Sequence, residues 1–288
     1  MDKTVLITGA STGIGHASAA RMATAGFTVF AGVRKQADAE RLEREGGGRI
    51  VPVLLDVNDD ASIHTAVELI RAHVGARGLN GLVNNAGIGS SAPIECIPAA
   101  LLRTQFEVNV FGQVAVIQAF LPLIRTARGR LVNMGSVGSH ITIPFGGALC
   151  ASKAAFAAIN DALRLELHPF GIQVSMIEPG AIATPAVDKT LGDVEGTVRQ
   201  LGPEGAARYG DMLREFMRRA YQREKKGSPP AVVAEAVHHA LTAERPHARY
   251  AVGKEARILS TLPHFLSDGL LDRLRYRLFG IPSKLATH

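Results

Sequence analysis

Cysteine is scarce in this sequence: Cys96 and Cys150 are the only two among 288 residues. They are far apart in apolar surroundings, which predicts buried thiols in a reducing compartment rather than a disulfide scaffold. Aromatic residues make up only 5% of the chain, and no aromatic ladder or zinc-finger spacing accompanies the cations. Because those cations are scattered, the net charge of +6 does not indicate nucleic-acid binding.

Long uninterrupted apolar runs are also missing. The longest apolar stretch, residues 108–124, is broken by three polar residues and a proline: Asn109, Gln113, Gln118 and Pro122. It therefore does not read as a membrane span. Met1 leads directly into an apolar strand, which leaves no room for a signal peptide. There is no internal repeat and no low-complexity segment, so we expect a soluble cytoplasmic protein.

The sequence does contain a regular alternation of short β-branched runs with longer helical patterns. This pattern predicts an α/β protein with a Rossmann-type, doubly wound, parallel seven-stranded sheet, whose ligands bind at the carboxyl ends of the strands. The predicted strands are Thr4–Thr8, Thr28–Val33, Ile50–Leu54, Gly81–Asn84, Arg130–Met134, Gln173–Ile177 and Tyr250–Val252. The predicted helices cover residues 14–25, 36–45, 59–74, 98–126, 148–168 and 231–243.

Two regions depart from this rhythm. Within a main domain over residues 1–253, residues 185–228 are polar and glycine-rich, with a helical stretch from Asp211 to Lys226, and would form a substrate lid. Residues 254–288 form a predicted C-terminal helical extension. Its apolar positions at helical spacing are Leu262, Phe265, Leu266, Leu270, Leu274 and Leu278, opposite Arg273, Arg275 and Arg277. We expect this helix to dock on the core, with a membrane-surface helix as the alternative.

A glycine-rich turn follows the first strand and opens a helix, with the sequence Thr8-Gly9-Ala10-Ser11-Thr12-Gly13-Ile14-Gly15. Gly9 permits a tight turn, Gly13 lets phosphates approach the backbone, and Gly15 allows close packing of strand and helix. A pyrophosphate would then lie at the positive helix N-terminus. Because glycines also serve ordinary turns, the position of this turn between strand and helix is what makes it informative.

Further motifs follow in order along the chain. They are Asp56 after the third strand, Asn84-Asn85-Ala86-Gly87 after the fourth, Asn109, Ser136 after the fifth, Lys153, and Pro179-Gly180-x-x-x-Thr184 after the sixth. With the glycine-rich turn, they make residues 3–252 resemble a short-chain dehydrogenase/reductase. The tail, from Arg249 to Gly253 and the helix that follows, is most similar to the branch of retinol and 17β-hydroxysteroid dehydrogenases and its bacterial relatives.

The resemblance implies a nicotinamide-dependent oxidoreductase and gives each motif a role. In the cofactor site, the turn residues Gly9, Ser11, Thr12, Gly13, Ile14 and Gly15 hold the phosphates, Asp56 and Val57 contact the adenine, and Asn84, Ala86 and Gly87 line the ribose. Pro179, Gly180 and Thr184 hold the carboxamide. In the catalytic site, Lys153 binds the nicotinamide ribose, Ser136 hydrogen-bonds the substrate oxygen, and Asn109 holds a water in a proton relay.

The end of the second strand bears on which cofactor is used. An NAD enzyme has an acidic residue there for the ribose 2′-hydroxyl, whereas an NADP enzyme has a cation. This chain has Val33 at the acidic position, followed by Arg34, whose guanidinium suits a phosphate. The basic residue that some NADP enzymes carry inside the glycine-rich turn is absent, since Thr12 occupies that position. We favour NADP over NAD, and the alternative is that Arg34 only solvates a loop.

Leu149 is the residue that sets this chain apart. It lies four residues before Lys153, one helical turn away, where the family has a tyrosine that acts as general acid and base. Three explanations remain open: a Tyr→Leu variant of an active enzyme, a weak or non-catalytic NADP-binding protein with a regulatory or structural role, or another proton donor. The candidates for that donor are His140, Cys150, Tyr209 and Tyr221.

The sequence also predicts the kind of partner. Ile141, Ile143, Pro144, Phe145 and Leu149 would line an apolar pocket mouth, which favours a bulky apolar substrate such as a ketone or alcohol. Small residues line part of the helix that carries Lys153: Ala151, Ala154, Ala155, Ala157 and Ala158. Because relatives pair this helix and the 98–126 helix with a two-fold copy, we expect a homodimer or homotetramer.

Overall fold

The computed structural model describes residues 3–282, and seven strands lie within them. They are β1 (Thr4–Ile7), β2 (Thr28–Val33), β3 (Ile50–Leu54), β4 (Gly81–Asn84), β5 (Arg130–Met134), β6 (Gln173–Pro179) and β7 (Arg249–Val252). All neighbouring pairs are parallel, in the order β3-β2-β1-β4-β5-β6-β7. The predicted Rossmann-type sheet is confirmed, and its order reverses between β1 and β4, where such sheets bind ligands.

Helices cover both faces of this sheet. They are α1 (Gly13–Thr24), α2 (Gln36–Glu45), α3 (Asp60–Val74), α4 (Ala99–Phe106), α5 (Gly112–Ala127), α6 (Gly147–Leu167), α7 (Pro185–Leu191), α8 (Val194–Arg199), α9 (Gly202–Lys225), α10 (Ala231–Thr242), α11 (Ala256–Thr261) and α12 (Asp268–Phe279). A widened turn with π-type hydrogen bonds, Glu107–Phe111, separates α4 from α5 within the predicted 98–126 helix. Widened turns of this kind are frequent at functional sites.

The hydrophobic core lies on the two faces of the sheet. On one face, Ile70 of α3, Phe120 of α5 and Phe156 of α6 are fully buried against β1, β4 and β5. On the other face, α1, α2 and α10 pack against the same central strands. Since both faces are covered, the central strands consist mainly of apolar residues, as parallel strands in such folds usually do.

Residues 185–228 differ from the expected polar loop because they are mostly helical. The long helix α9 begins at Gly202 rather than near Asp211. A Cβ on Gly205 would lie 3.0 Å from Cys96 Sγ, so this glycine allows close packing inside the helix and does not mark a loop. Helices α7, α8 and α9 share a small core of their own, built from Val187, Leu191, Val198, Leu213, Phe216 and Met217.

The C-terminal extension forms two helices, α11 and α12, instead of one, and residues 283–288 lie outside the described range. The predicted apolar stripe was wrong in its register, since Phe265 is 80% and Leu270 50% exposed. The buried residues are Leu271 and Phe279, and the Phe279 ring lies 5.3 Å from that of Phe216 on α9. The extension therefore docks on the lid helix.

One helical segment in the described chain, Ala99–Ala127, is long and apolar enough to span a membrane. Half of its most apolar part is buried, and Val116, Ile117 and Phe120 pack into the core beside the sheet. A core helix passes the same test of length and composition, so the segment is weak evidence for a span. The absence of a transmembrane segment and the cytoplasmic location stay predictions.

Candidate active site

The glycine-rich turn after β1 lies directly against the end of β4. Gly9 has a φ of +63°, and a Cβ on it would lie 2.9 Å from the Ala86 Cα. A Cβ on Gly15 would lie 2.2 Å from the Gly9 carbonyl oxygen. Because atoms cannot approach so closely, only glycine fits at these two positions. The turn is thus packed tightly enough to bring backbone N–H groups to the ligand crevice.

Thr8 and Asn85 hold this contact together, although the sequence analysis gave their side chains no role. The Thr8 hydroxyl oxygen accepts hydrogen bonds from the backbone N–H groups of Asn85 and Ala86, both at 3.0 Å. The Asn85 amide donates to the carbonyls of Thr8 and Gly9 at 2.9 and 3.2 Å. Asn84 is buried, and its amide donates to the Gln113 carbonyl at 3.0 Å. In the sequence, the consecutive asparagines Asn84 and Asn85 could have indicated this structural role.

The N-terminus of α1 is prepared for an anion. Thr12 takes the N-cap position in an extended conformation, its side chain caps no N–H group, and no acidic residue lies in the first turn. Uncapped N–H groups and the helix dipole favour a phosphate there. Thr184 lies beside this end, since its Cβ would be 3.3 Å from a Cβ on Gly13. The residues present therefore fit the pyrophosphate of a dinucleotide.

Lys153 projects from α6 toward the ends of β4 and β5. Its ammonium donates to the Met134 carbonyl at 2.8 Å and would lie 3.8 Å from a Cβ on Gly87. Desolvation lowers the pKa of Lys153 to about 8. An ammonium has three donors, so two remain for ribose hydroxyls.

Asn109 is buried in the widened turn between α4 and α5. Its side chain accepts from the Ile88 N–H at 2.9 Å and donates to the Ile88 carbonyl at 3.0 Å and the Ser152 hydroxyl at 3.1 Å. This side chain fixes the segment after β4 against α6. The water relay expected of Asn109 stays a prediction.

Ser136 begins a short 3₁₀ turn after β5, Val137–Ser139, and its hydroxyl oxygen accepts from the Gly138 N–H at 3.0 Å. A hydroxyl that accepts one bond still has its own proton to donate. The Ser139 hydroxyl donates to the Lys153 carbonyl at 3.3 Å, which ties this turn to α6. Ser136 and Lys153 are therefore held on connected elements.

Leu149 lies one turn before Lys153 on α6, and its surroundings contain a lid residue that the sequence analysis missed. A Cβ on Gly89 would lie 3.7 Å from the Leu149 Cδ2 and 3.5 Å from the Thr190 Oγ1. Thr190 belongs to α7, so a residue of the predicted lid and Leu149 both approach Gly89.

The four candidate donors are each engaged elsewhere. The His140 Nε2 lies 2.8 Å from the buried Glu178 carboxylate. The Cys150 thiol faces the Ile141 carbonyl at 3.9 Å, and burial raises the pKa of that thiol. The Tyr209 and Tyr221 hydroxyls donate to Glu95 and Asp188. Each of the four groups therefore already has a hydrogen-bond partner within the protein.

The other predicted cofactor residues lie at strand ends as expected from the topology. Val33 is buried, whereas Arg34 is exposed and makes no ion pair with any residue from 3 to 282. The Asp56 carboxylate accepts from the Asn58 N–H at 3.0 Å in a local turn, beside the buried Val57. At the end of β6, the Gly180 N–H donates to the Val252 carbonyl at 2.9 Å.

A groove of about 870 Å³ lies along β7 and α11, lined by residues between Glu235 and Ile258. None of the predicted catalytic or cofactor residues lines it. It adjoins the end of β6, because a Cβ on Gly180 would lie 3.1 Å from the backbone nitrogen of Ala256, which lines the groove.

Comparisons with known proteins agree with this arrangement. A family model described as short chain dehydrogenase matches residues 3–194. The chain is 37% identical to retinol dehydrogenase 16 of Mus musculus, over 94% of this chain and 88% of the relative. It is 34% identical to an NADPH-dependent 3-dehydrocapnine reductase of Ornithobacterium rhinotracheale, over 94% and 95%. A short-chain dehydrogenase structure from Streptomyces avermitilis superposes with a TM-score of 0.72 at 30% identity, covering 96% of this chain and 95% of that one.

Proposed function

We propose, from the premise that this chain belongs to the short-chain dehydrogenase/reductase family, that it is an NADP-dependent carbonyl reductase or alcohol dehydrogenase impaired at its proton donor. Family membership makes it an NAD(P)-dependent oxidoreductase, close to the branch of retinol and 17β-hydroxysteroid dehydrogenases. The observation that carries the proposal is Leu149, one turn from Lys153 in a site that is otherwise assembled.

The side chains divide the work as follows. A bound nicotinamide supplies or accepts the hydride. Ser136 can donate to the substrate oxygen, and Lys153 can hold the ribose hydroxyls. Leu149 has no proton to give, so general acid catalysis by a phenol is lost. The Thr190 hydroxyl approaches Gly89 as Leu149 does, but threonine is not among the usual general acids.

The preference for NADP rests on the end of β2. Val33 is buried and offers no acceptor to a ribose 2′-hydroxyl, while Arg34 and Lys35 are exposed and make no ion pair in the described chain. Unpaired cations at this position suit a phosphate group. The bacterial relative named as NADPH-dependent adds support.

The preference for an apolar substrate rests on the wall near Leu149. Ile141 is buried, and Ile143 and Phe145 pack against the core shared by α7, α8 and α9. The Phe145 ring lies 5.4 Å from that of Phe216. A lid that closes on apolar side chains suits an apolar alcohol or ketone better than a charged acid.

Replacing Leu149 by tyrosine tests this function. NADPH consumption would be followed with a panel of apolar ketones for the wild type, Leu149→Tyr and the matched control Leu149→Phe, which adds a ring without a hydroxyl. We expect Leu149→Tyr to raise the rate ~10²-fold or more, the usual range for general acid catalysis, and Leu149→Phe to leave it unchanged. A wild type that turns over while Leu149→Tyr is inert would contradict the proposal.

The same experiment tests a second function, a non-catalytic NADP-binding protein with a regulatory or structural role. The hydrogen bonds of His140, Cys150, Tyr209 and Tyr221 support it, because each of these side chains already has a partner in another part of the protein. Tight NADPH binding without turnover in either the wild type or Leu149→Tyr would support this second function.

A further inference from the structure

Arg41 of α2 reaches the glycine-rich turn from outside the site. Its Nη2 donates to the Ser11 carbonyl at 2.6 Å, although the two residues are 30 positions apart. Ser11 precedes Thr12, the position at which some NADP enzymes carry a basic residue. The Arg41 guanidinium therefore contacts the turn at Ser11, next to Thr12, where the turn itself has no basic residue.

The charges around this turn call for a second cation. A phosphate monoester carries about −1.5 to −2 charges at pH 7, which Arg34 alone cannot balance. Lys35 adds a further exposed cation at this end of β2, but no hydrogen bond within residues 3–282 fixes its ammonium on the turn. Arg41 is already held on the turn, and its planar fork matches phosphate oxygens better than a flexible ammonium does.

The present partners of Arg41 leave it able to bind a phosphate. Its Nη1 donates to the Glu45 carboxylate at 3.2 Å, and the Asp38 carboxylate lies 3.5 Å from its Nη2. The His16 Nε2 lies 2.9 Å from the same Glu45 carboxylate, so Glu45 keeps a partner if the fork turns away. The Nε–H of Arg41 makes no hydrogen bond with residues 3–282.

We propose that Arg41 is a specificity-determining residue, which binds the 2′-phosphate of NADP together with Arg34 and replaces the cation missing at Thr12. This assignment rests on the proposed function, because it needs a dinucleotide on the glycine-rich turn. It goes further in naming a residue of α2 as the second half of the phosphate site.

Isothermal titration of the full-length protein with NADP⁺ and with NAD⁺ tests the assignment without any need for turnover. The variants are Arg41→Ala and Arg34→Ala, and the matched control is Arg44→Ala, an exposed arginine of α2 with no partner in the described chain. We expect Arg41→Ala to weaken NADP⁺ about tenfold, as the loss of one charged hydrogen bond does, and to change NAD⁺ less than twofold. Arg44→Ala should change neither constant, and Arg41→Lys should recover part of the loss.

The possible failures are distinct. Equal weakening of NADP⁺ and NAD⁺ by Arg41→Ala would show that Arg41 only positions the turn, and this would overturn the assignment. An unchanged NADP⁺ affinity would overturn it as well, while the proposed function would stand. A wild type that binds neither dinucleotide would overturn the proposed function, and this assignment with it. Thermal unfolding of each variant checks that the fold is intact.

Discussion

The crevice at the strand ends has a nucleotide half and a reaction half, and the two differ in the hydrogen bonds that their polar side chains make. In the nucleotide half, around β1, α1 and β4, Thr8 and Asn85 satisfy each other's backbones and hold the glycine-rich turn in place. In the reaction half, around α6 and the predicted lid, Ser136 and Lys153 are held on connected elements, whereas the His140 imidazole and the two tyrosine hydroxyls contact carboxylates.

From this difference we propose that cofactor binding and proton transfer are largely separable in this protein. The binding half depends mainly on backbone geometry around β1, α1 and β4, and Lys153 is the one residue of α6 that we expect to contact the cofactor. Under the proposed function, the reaction half lacks a proton donor at position 149, because a leucine side chain has no proton to donate. The following predictions test how independent the two halves are, beginning with the largest expected effect.

The first prediction places Ser136→Ala in the Leu149→Tyr background. Removal of a donor aimed at the substrate oxygen should lower the restored rate ~10²-fold, while NADPH affinity stays within twofold. Initial rates and titrations measure the two quantities separately. Ser267→Ala is the control, since Ser267 is an exposed serine before α12 whose side chain makes no capping hydrogen bond. If Ser136→Ala also lowered NADPH affinity, the two halves would not act independently.

The second prediction concerns the support of the reaction half by β7. The Glu178 carboxylate, 2% exposed, is shared by His140 and by Arg249, which also binds Asp161 at 2.7 Å. Arg249→Ala leaves that buried charge with one partner, so we expect the free energy of unfolding to fall by about 3 kcal/mol in urea titrations. Arg245→Ala, an exposed arginine without a partner in the described chain, should change it by less than about 0.5 kcal/mol. Equal effects would show that the cluster does not stabilise this half.

The sequence was sufficient for the sheet, and its limits have physical causes. Apolar runs bounded by turn residues located the strands to within about two residues, because the central strands β1, β4 and β5 are largely buried on both faces. The helices of the predicted lid were harder to predict from the sequence. Gly205, for example, lies inside α9 and allows close packing against Cys96, although a glycine in a polar stretch usually indicates a loop. The partners of Tyr209, Tyr221 and Arg41 depend on contacts between distant segments, which no local pattern encodes.

The third prediction follows from the lowered pKa of Lys153, about 8 compared with 10.5 for a free lysine. Below pH 8 the ammonium is charged in both the folded and unfolded states, so its burial cost is fully present. Between pH 8 and 10.5 the unfolded chain holds the proton that the folded chain has released, so stability from this group rises with pH. Lys153→Met should therefore be more stable than the wild type at pH 7, by about 2 kcal/mol after loss of the bond to the Met134 carbonyl.

That advantage should shrink above pH 8 and be lost as the pH approaches 10.5, because the wild-type lysine is neutral in both states only above that pH. Urea unfolding of both proteins at several pH values, without added cofactor, measures the difference. Lys226→Met, at an exposed position, should show no such pH dependence. A Lys153→Met variant less stable than the wild type at pH 7 would mean that the reaction half carries no stored burial cost.

The last prediction concerns a surface beside the reaction half and has the smallest expected effect on the protomer itself. Ala151, Ala154, Ala158 and the 66% exposed Leu165 recur at three- and seven-residue spacing along α6, so they lie on one exposed helix face. Small residues allow another helix to approach closely, and a two-fold copy on this face would bury Leu165 and the exposed Phe111 of the widened turn, which packs against α6. We expect light scattering of the wild type to give at least twice the protomer mass of 30.5 kDa.

Ala158→Arg should release protomers because a bulky cation prevents that approach, while the stability of each protomer changes little at an exposed helix position. Ala20→Arg on α1, which covers the opposite face of the sheet, is the matched control and should leave the particle mass unchanged. If the wild type scatters only as 30.5 kDa particles at micromolar concentration, the apolar face of α6 does not pair two copies. If Ala158→Arg gives monomers that bind NADPH as tightly as the wild type, the nucleotide half binds its ligand without a second copy. The interface would then involve only the reaction half.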